Sequence, residues 1–173
     1  MTANRPIIHV VVCFLLAAEL VGCSRQHSVE TAVLVVSKPE FYTVDHYDKS
    51  RDPVADMAMT VERATRENKR IFVQVGGNWC RWCEMLTKFI ESNEPVRAAL
   101  SEGFLVMKVH YSTDHPNEPF LSQYPEIAGY PHVYIFDTDG TILHSQATAE
   151  LEAGDGYNEE VYLDFLANWA PER

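Results

Sequence analysis

Apolar positions recur with two periods along the 173 residues. In residues 52–70, DPVADMAMTVERATRENKR, Val54, Met57, Ala58, Val61, Ala64 and Thr65 return near every 3.6 positions, which predicts an amphipathic helix. Asp52 is placed to cap it, Pro53 suits its first turn, and Asn68 with Lys69 and Arg70 suits its C-terminal end. Residues 71–75, IFVQV, form a short continuous apolar run that predicts a buried strand, ended by Gly76-Gly77. From position 81 to about 92, Trp82, Met85, Leu86, Phe89 and Ile90 share one side of a second helix, and residues 94–100 add a further short helical turn. Residues 104–111, FLVMKVHY, predict a second strand.

After a polar, proline-bearing stretch at 112–126, residues 132–136 and 141–145 flank Asp137-Thr138-Asp139-Gly140 and predict a β-hairpin. ELEAGDG, residues 150–156, reads as a loop, and 157–170 as a closing helix with Val161, Leu163, Phe165, Leu166 and Trp169 on its apolar face. A strand–helix–strand unit needs a right-handed parallel crossover, and a hairpin adds antiparallel strands. The expected fold class is therefore α/β: a central mixed sheet in three layers, with helices on both faces. Residues 24–51 are polar apart from the run at 32–36 and read as a tether that adds an edge strand or lies against the domain.

Composition narrows the function classes. Apolar residues make up 46% and the net charge is −11, from 25 acidic and 14 basic residues. With no basic run there is no electrostatic footprint for nucleic acid. Residues 7–18 are almost continuously apolar but fall short of the roughly 20 that span a bilayer as a lone helix, so they read as a secretory signal. Its end, Leu20-Val21-Gly22-Cys23, resembles the lipobox of bacterial lipoproteins, from which His9 and Glu19 are departures. The resemblance implies a signal peptide at 1–22, cleavage before an acylated Cys23, a lipidated tether at 23–51, and a domain at 52–173. It further implies an exported lipoprotein on the periplasmic side of the outer membrane, Ser24 favouring that membrane over the inner one. An ordinary signal peptide or an uncleaved anchor is the competing reading.

On the lipoprotein reading, Cys13 leaves with the signal and the Cys23 sulfur carries lipid. Of four cysteines, Cys80 and Cys83 then remain as the thiols. Cys80 sits where a predicted strand gives way to a helix, whose first turn offers unpaired N–H groups and a partial positive charge that stabilise a thiolate. Cys83 lies one turn on, placed to resolve a mixed disulfide formed at Cys80. Arg81 favours the ionised form and Glu84 opposes it. A zinc site needs four ligands, and His110, His115, His132 and His144 fall in no finger-like spacing, His110 being the least implausible partner. A structural disulfide this short would close almost no loop and stabilise little. Redox exchange makes fullest use of the spacing.

Trp79-Cys80-Arg81-Trp82-Cys83 opening a helix after a strand, followed by Gly129-Tyr130-Pro131 just before another strand, resembles the thioredoxin superfamily over residues 54–170. The resemblance implies a thiol–disulfide oxidoreductase with Cys80 as nucleophile, Cys83 as resolving thiol and a cis Tyr130–Pro131 bond. No cofactor and no metal is implied. Implied partners are protein thiols or disulfides, a membrane redox donor or acceptor, and the membrane itself through the N-terminal lipid. Trp79, Tyr130 and Pro131 become candidate substrate contacts. Trp82, between the cysteines, is expected to be exposed and to join them. Where the family often has a buried Asp, this chain has Gln74; Lys108 matches the lysine that pairs with that Asp. Glu84 and Lys108 are then the candidate proton-handling groups. Lys88 replaces the family's helix proline. The rival class of function is a binding or assembly lipoprotein that uses the fold without turnover.

Overall fold

The computed structural model describes residues 39–172. Its elements run β1 (Tyr42–Val44), α1 (Pro53–Glu67), β2 (Arg70–Gly76), α2 (Arg81–Ser92), α3 (Glu94–Gly103), β3 (Phe104–His110), α4 (Glu118–Leu121), β4 (His132–Phe136), β5 (Ile142–Ala147), a 3-10 turn (Thr148–Leu151), β6 (Glu152–Ala153), β7 (Gly156–Tyr157) and α5 (Glu159–Trp169). The main sheet has the order β1-β3-β2-β4-β5. β1 and β2 run parallel to β3, while β4 pairs antiparallel with both β2 and β5. This is the mixed three-layer α/β architecture expected from the sequence.

Strand alternation sorts side chains to the two faces. Ile71, Val73 and Val75 pack with Met57 and Ala64 of α1, whereas Phe72 packs with Leu86 and Ile90 of α2, Leu100 of α3 and Phe165 of α5. Gln74 and Gly76, two and four positions after Phe72, therefore fall on the α2 side, beneath the cysteines. Local chemistry sets the helix ends. Asp52 Oδ1 accepts from the Val54 N–H at 2.9 Å, and Asn68 closes α1 in a left-handed conformation (φ 51°) that Asn tolerates. Asn93 and Asn158 cap α3 and α5 in the same manner as Asp52.

Residues 41–47 add an edge strand and lie against the domain, as the sequence reading allowed: Phe41 is buried, β1 is that strand, and Tyr47 is buried against the cysteines. Two features differ from the sequence reading. The buried face of α1 is Pro53, Asp56, Met57, Thr60 and Ala64, leaving Val54 exposed. Asp56 is tolerated there because Arg51 donates to both its carboxylate oxygens, and the Thr60 hydroxyl donates to the Asp56 carbonyl at 2.8 Å. Residues 150–156, read as a loop, contribute to the 3-10 turn and to the β6–β7 ribbon. The signal peptide, Cys13, Cys23 and the run at 32–36 lie outside the described residues. Among the described residues no helix is long and apolar enough to cross a membrane.

Candidate active site

β2 ends at Gly76 and α2 begins at Arg81, so Cys80 stands at the helix N-cap in an extended conformation. Its sulfur accepts from the Cys83 N–H at 3.2 Å. The two cysteines are joined as a disulfide, with Cα atoms 5.2 Å apart. The strand supplies rigidity, and the Cys83 N–H, in the first turn of the helix, points at the Cys80 sulfur. Cys80 is mostly covered and Cys83 wholly buried, so Cys80 lies nearer the surface.

Gly76 makes this closeness possible. A Cβ at that position would lie 2.5 Å from Cys83 Sγ and 3.0 Å from the Tyr47 hydroxyl oxygen. Tyr47, Cys80 and Cys83 form a small cluster against which Trp82 and Tyr130 pack. The Tyr130–Pro131 bond is cis, and the Pro131 carbonyl accepts from the Thr148 hydroxyl at 2.6 Å. Tyr130 stacks on Tyr111, with ring centres 4.5 Å apart, and meets the edge of Trp79 at 5.6 Å. Trp79 in turn donates to the Tyr111 carbonyl at 2.7 Å.

Of the two tryptophans, both candidate substrate contacts, Trp82 is less exposed than expected. Trp79 is 56% exposed, held by its indole N–H rather than packed away. Trp82 is half-buried because Tyr157 of β7 sets its ring edge-on at 5.8 Å. The sequence reading missed that cover because it placed Tyr157 at the start of the closing helix, whereas the residue lies in β7 and the helix begins at Glu159.

The proton-handling candidates separate too. Glu84 is exposed and bonded to Lys88 at 2.6 Å, and this contact holds its carboxyl below the usual carboxylate range. Lys108 is buried, donates to the Thr87 hydroxyl at 3.0 Å, and lies over the rings of Tyr42 and Tyr47 at 5.2 and 5.6 Å. Gln74, fully buried and opposite Lys108 in the β2–β3 register, donates from Nε2 to the Tyr47 hydroxyl at 2.7 Å. Tyr47 and Thr87 were missed by sequence reasoning: neither lies in a motif, and Tyr47 belongs to the stretch read as tether. A cleft of about 370 Å³, lined in part by Asp45, Tyr47, Cys83, Glu84 and Lys108, opens this side of the site.

His132 is buried in β4, with Nε2 2.8 Å from the Ser145 hydroxyl; burial first, and His144 second, push its pKa down to about 4. Among the described residues no group of three or more His, Cys, Asp or Glu is arranged to hold a metal.

A mixed sheet with a cysteine pair at a helix start, facing a cis X-Pro, defines a thioredoxin-type domain. The profile of the family described as thioredoxin-like matches residues 52–138, half of the chain, and the protein belongs to that family. Its structure is similar to that of a disulphide isomerase from Xylella fastidiosa Temecula1, with a TM-score of 0.60, 22% identity, and coverage of 70% of this chain and 94% of that one. It is also similar to the C-terminal domain of Neisseria meningitidis DsbD in the oxidised form, with a TM-score of 0.52, 15% identity, and coverage of 68% and 96%. At these identities the likeness is one of fold. Human spermatogenesis-associated protein 20 is 42% identical over 48 residues, 28% of this chain and 6% of that protein. The rat protein is 27% identical over 92 residues, 53% of this chain and 12% of that one, so the chain spans about a tenth or less of these curated relatives. Family, fold and the close cysteine pair together support thiol–disulfide oxidoreductase chemistry in general terms.

Proposed function

We propose that this protein is an exported, membrane-tethered thiol–disulfide oxidoreductase acting on protein thiols and disulfides. The observation that carries the reading is the Cys80–Cys83 disulfide at the start of α2, beside the cis Tyr130–Pro131 bond. In the reducing direction, the Cys80 thiolate attacks one sulfur of a substrate disulfide and expels the other as a thiolate. Cys83 then attacks Cys80 Sγ, releases the second substrate sulfur and closes the disulfide seen here. The backbone ahead of Pro131 and the Trp79–Tyr130 surface would seat an extended substrate segment by strand addition. The same steps reversed oxidise a dithiol, and the direction follows from the pair's potential against that of its surroundings.

Tethering rests on Leu20-Val21-Gly22-Cys23: signal peptide 1–22 is removed and the lipid on Cys23 holds the domain at the periplasmic side of the outer or inner membrane. An oxidising periplasm makes a membrane redox partner necessary for net reduction. Reduction of insulin by the pre-reduced protein tests the activity. Turnover should fall at least about a thousandfold, to the uncatalysed level, in Cys80→Ser. Equal rates for wild type and variant would instead favour a binding protein without turnover.

A further inference from the structure

A resolving thiol that is wholly buried needs help to lose its proton, because burial in apolar surroundings disfavours the thiolate. The family's usual helper, a buried carboxyl at position 74, is an amide here. Gln74 donates to the Tyr47 hydroxyl oxygen at 2.7 Å. The phenolic proton of Tyr47 therefore remains available for another acceptor. The Tyr47 oxygen and the Cys83 sulfur both lie within 3.0 Å of the single point a Cβ on Gly76 would occupy. They share the space left by the missing side chain.

We propose that Tyr47 is the positioning residue for the resolving sulfur: when the disulfide opens, its hydroxyl, braced by Gln74, donates a hydrogen bond to the Cys83 thiolate. An uncharged donor thus stabilises the thiolate, and the proton itself goes elsewhere. This rests on the reading of Cys80 and Cys83 as a redox pair. In the mixed disulfide, Cys83 loses its proton to water in the cleft that reaches it, and its sulfur attacks Cys80 Sγ. The Cys80–substrate bond breaks as the Cys83–Cys80 bond forms, and the departing substrate thiolate takes a proton from solvent. Two electrons pass from the enzyme pair to the substrate, and no further reactant is needed.

The donor persists at all working pH values. Burial pushes the Tyr47 phenol well above its ordinary range, only partly offset by the Gln74 hydrogen bond. The other titratable or charged groups facing Cys83 along the cleft are Asp45 and His46 from the leading segment, Glu84 and Glu91 from α2, and Lys108 from β3. Arg81 and Glu84 flank the pair in sequence. Lys108 is the principal rival for the role, and its Nζ donates to Thr87 at 3.0 Å.

The test separates attack from resolution in the full chain. Wild type, Tyr47→Phe and Lys108→Met are reduced and mixed with a disulfide-containing peptide, and each step is followed by rapid acid quench across pH 5 to 10. Tyr47→Phe should form the mixed disulfide within about twofold of the wild-type rate. It should resolve it about tenfold more slowly at neutral pH, with the midpoint of the resolution profile raised by about one pH unit. An unchanged resolution profile in Tyr47→Phe, or the shift appearing only in Lys108→Met, overturns the proposal. A second measurement needs no variant. In the reduced wild type, the ring ζ-carbon signal of Tyr47 should move with the Cys83 β-carbon signal and share its midpoint. A Tyr47 signal that ignores Cys83 ionisation overturns the proposal independently of any folding defect. If wild type forms no mixed disulfide at all, it is the oxidoreductase reading that fails, an outcome visible before resolution is ever scored.

Discussion

The cysteine pair has two unlike sides. On the outer side, Trp79, Tyr111 and Tyr130 form an aromatic cluster next to the buried Pro131, in which Trp79 is exposed and hydrogen-bonded at its indole N–H. On the inner side, Tyr47, Gln74, Thr87 and Lys108 form a buried polar layer joined by hydrogen bonds and ring contacts. On the proposed reading the outer side receives an extended substrate segment, and the inner side handles charge without a carboxyl at position 74. That reading puts partner choice and proton handling in different residues, and substitutions should separate them.

The largest expected effect exploits a titratable group beneath the outer side. His132 follows Pro131 and is held neutral, its pKa pushed to about 4 by burial and by His144, against an ordinary 6.5. The unfolded chain binds a proton below about pH 6.5 while the folded chain does not until about pH 4. Stability from this group is therefore full above pH 6.5 and is lost as pH falls toward 4, by roughly 2–3 kcal/mol. Urea unfolding of wild type and His132→Gln at pH 7.5 and 4.5 checks this: the wild type should lose stability that the variant does not. Parallel pH curves would show that the neutral histidine contributes nothing.

What the sequence made legible, and what it did not, follows the same division. α2 lies where its apolar period placed it, and β4 where its apolar run did, because each is specified by residues a few positions apart. The cysteine pair was legible for the same reason, its chemistry being local. Tyr47 was not: it reaches Gln74 across 27 positions, from a stretch whose polar composition conceals the buried rings of Phe41 and Tyr47. Trp82 was misjudged because its cover, Tyr157, arrives from a ribbon 75 positions away. Gly76 read as a breaker; its necessity is the bare space shared by Cys83 and Tyr47.

A middle-sized effect sharpens the inner side. Gly76→Ala would drive a methyl to 2.5 Å from the Cys83 sulfur and 3.0 Å from the Tyr47 oxygen. Overpacking of this kind costs typically about 1–3 kcal/mol. The methyl meets the sulfur where the disulfide holds it, so the oxidised form should suffer more than the reduced form. Thermal unfolding of both forms measures the difference. Equal losses in the two forms would mean that the contact is relieved elsewhere, and that the inner side is less tightly specified than its hydrogen bonds indicate.

The smallest effect on stability should come from the most prominent residue. Trp79→Ala removes a ring that is 56% exposed and one hydrogen bond, to the Tyr111 carbonyl. Losing a modest apolar contact and one exposed hydrogen bond should cost no more than about 1 kcal/mol. If the outer side is a polypeptide-docking surface, function should respond where stability does not. The KM for a protein disulfide should rise about three- to tenfold, as expected when about 1 kcal/mol of contact is lost, while the rate with a small aromatic disulfide stays unchanged. Tyr47→Phe predicts the opposite pattern, slowing resolution whatever the size of the substrate. A Trp79→Ala variant that slows both substrates equally would place the tryptophan with the chemistry instead of the partner, and the division between the two sides would not hold.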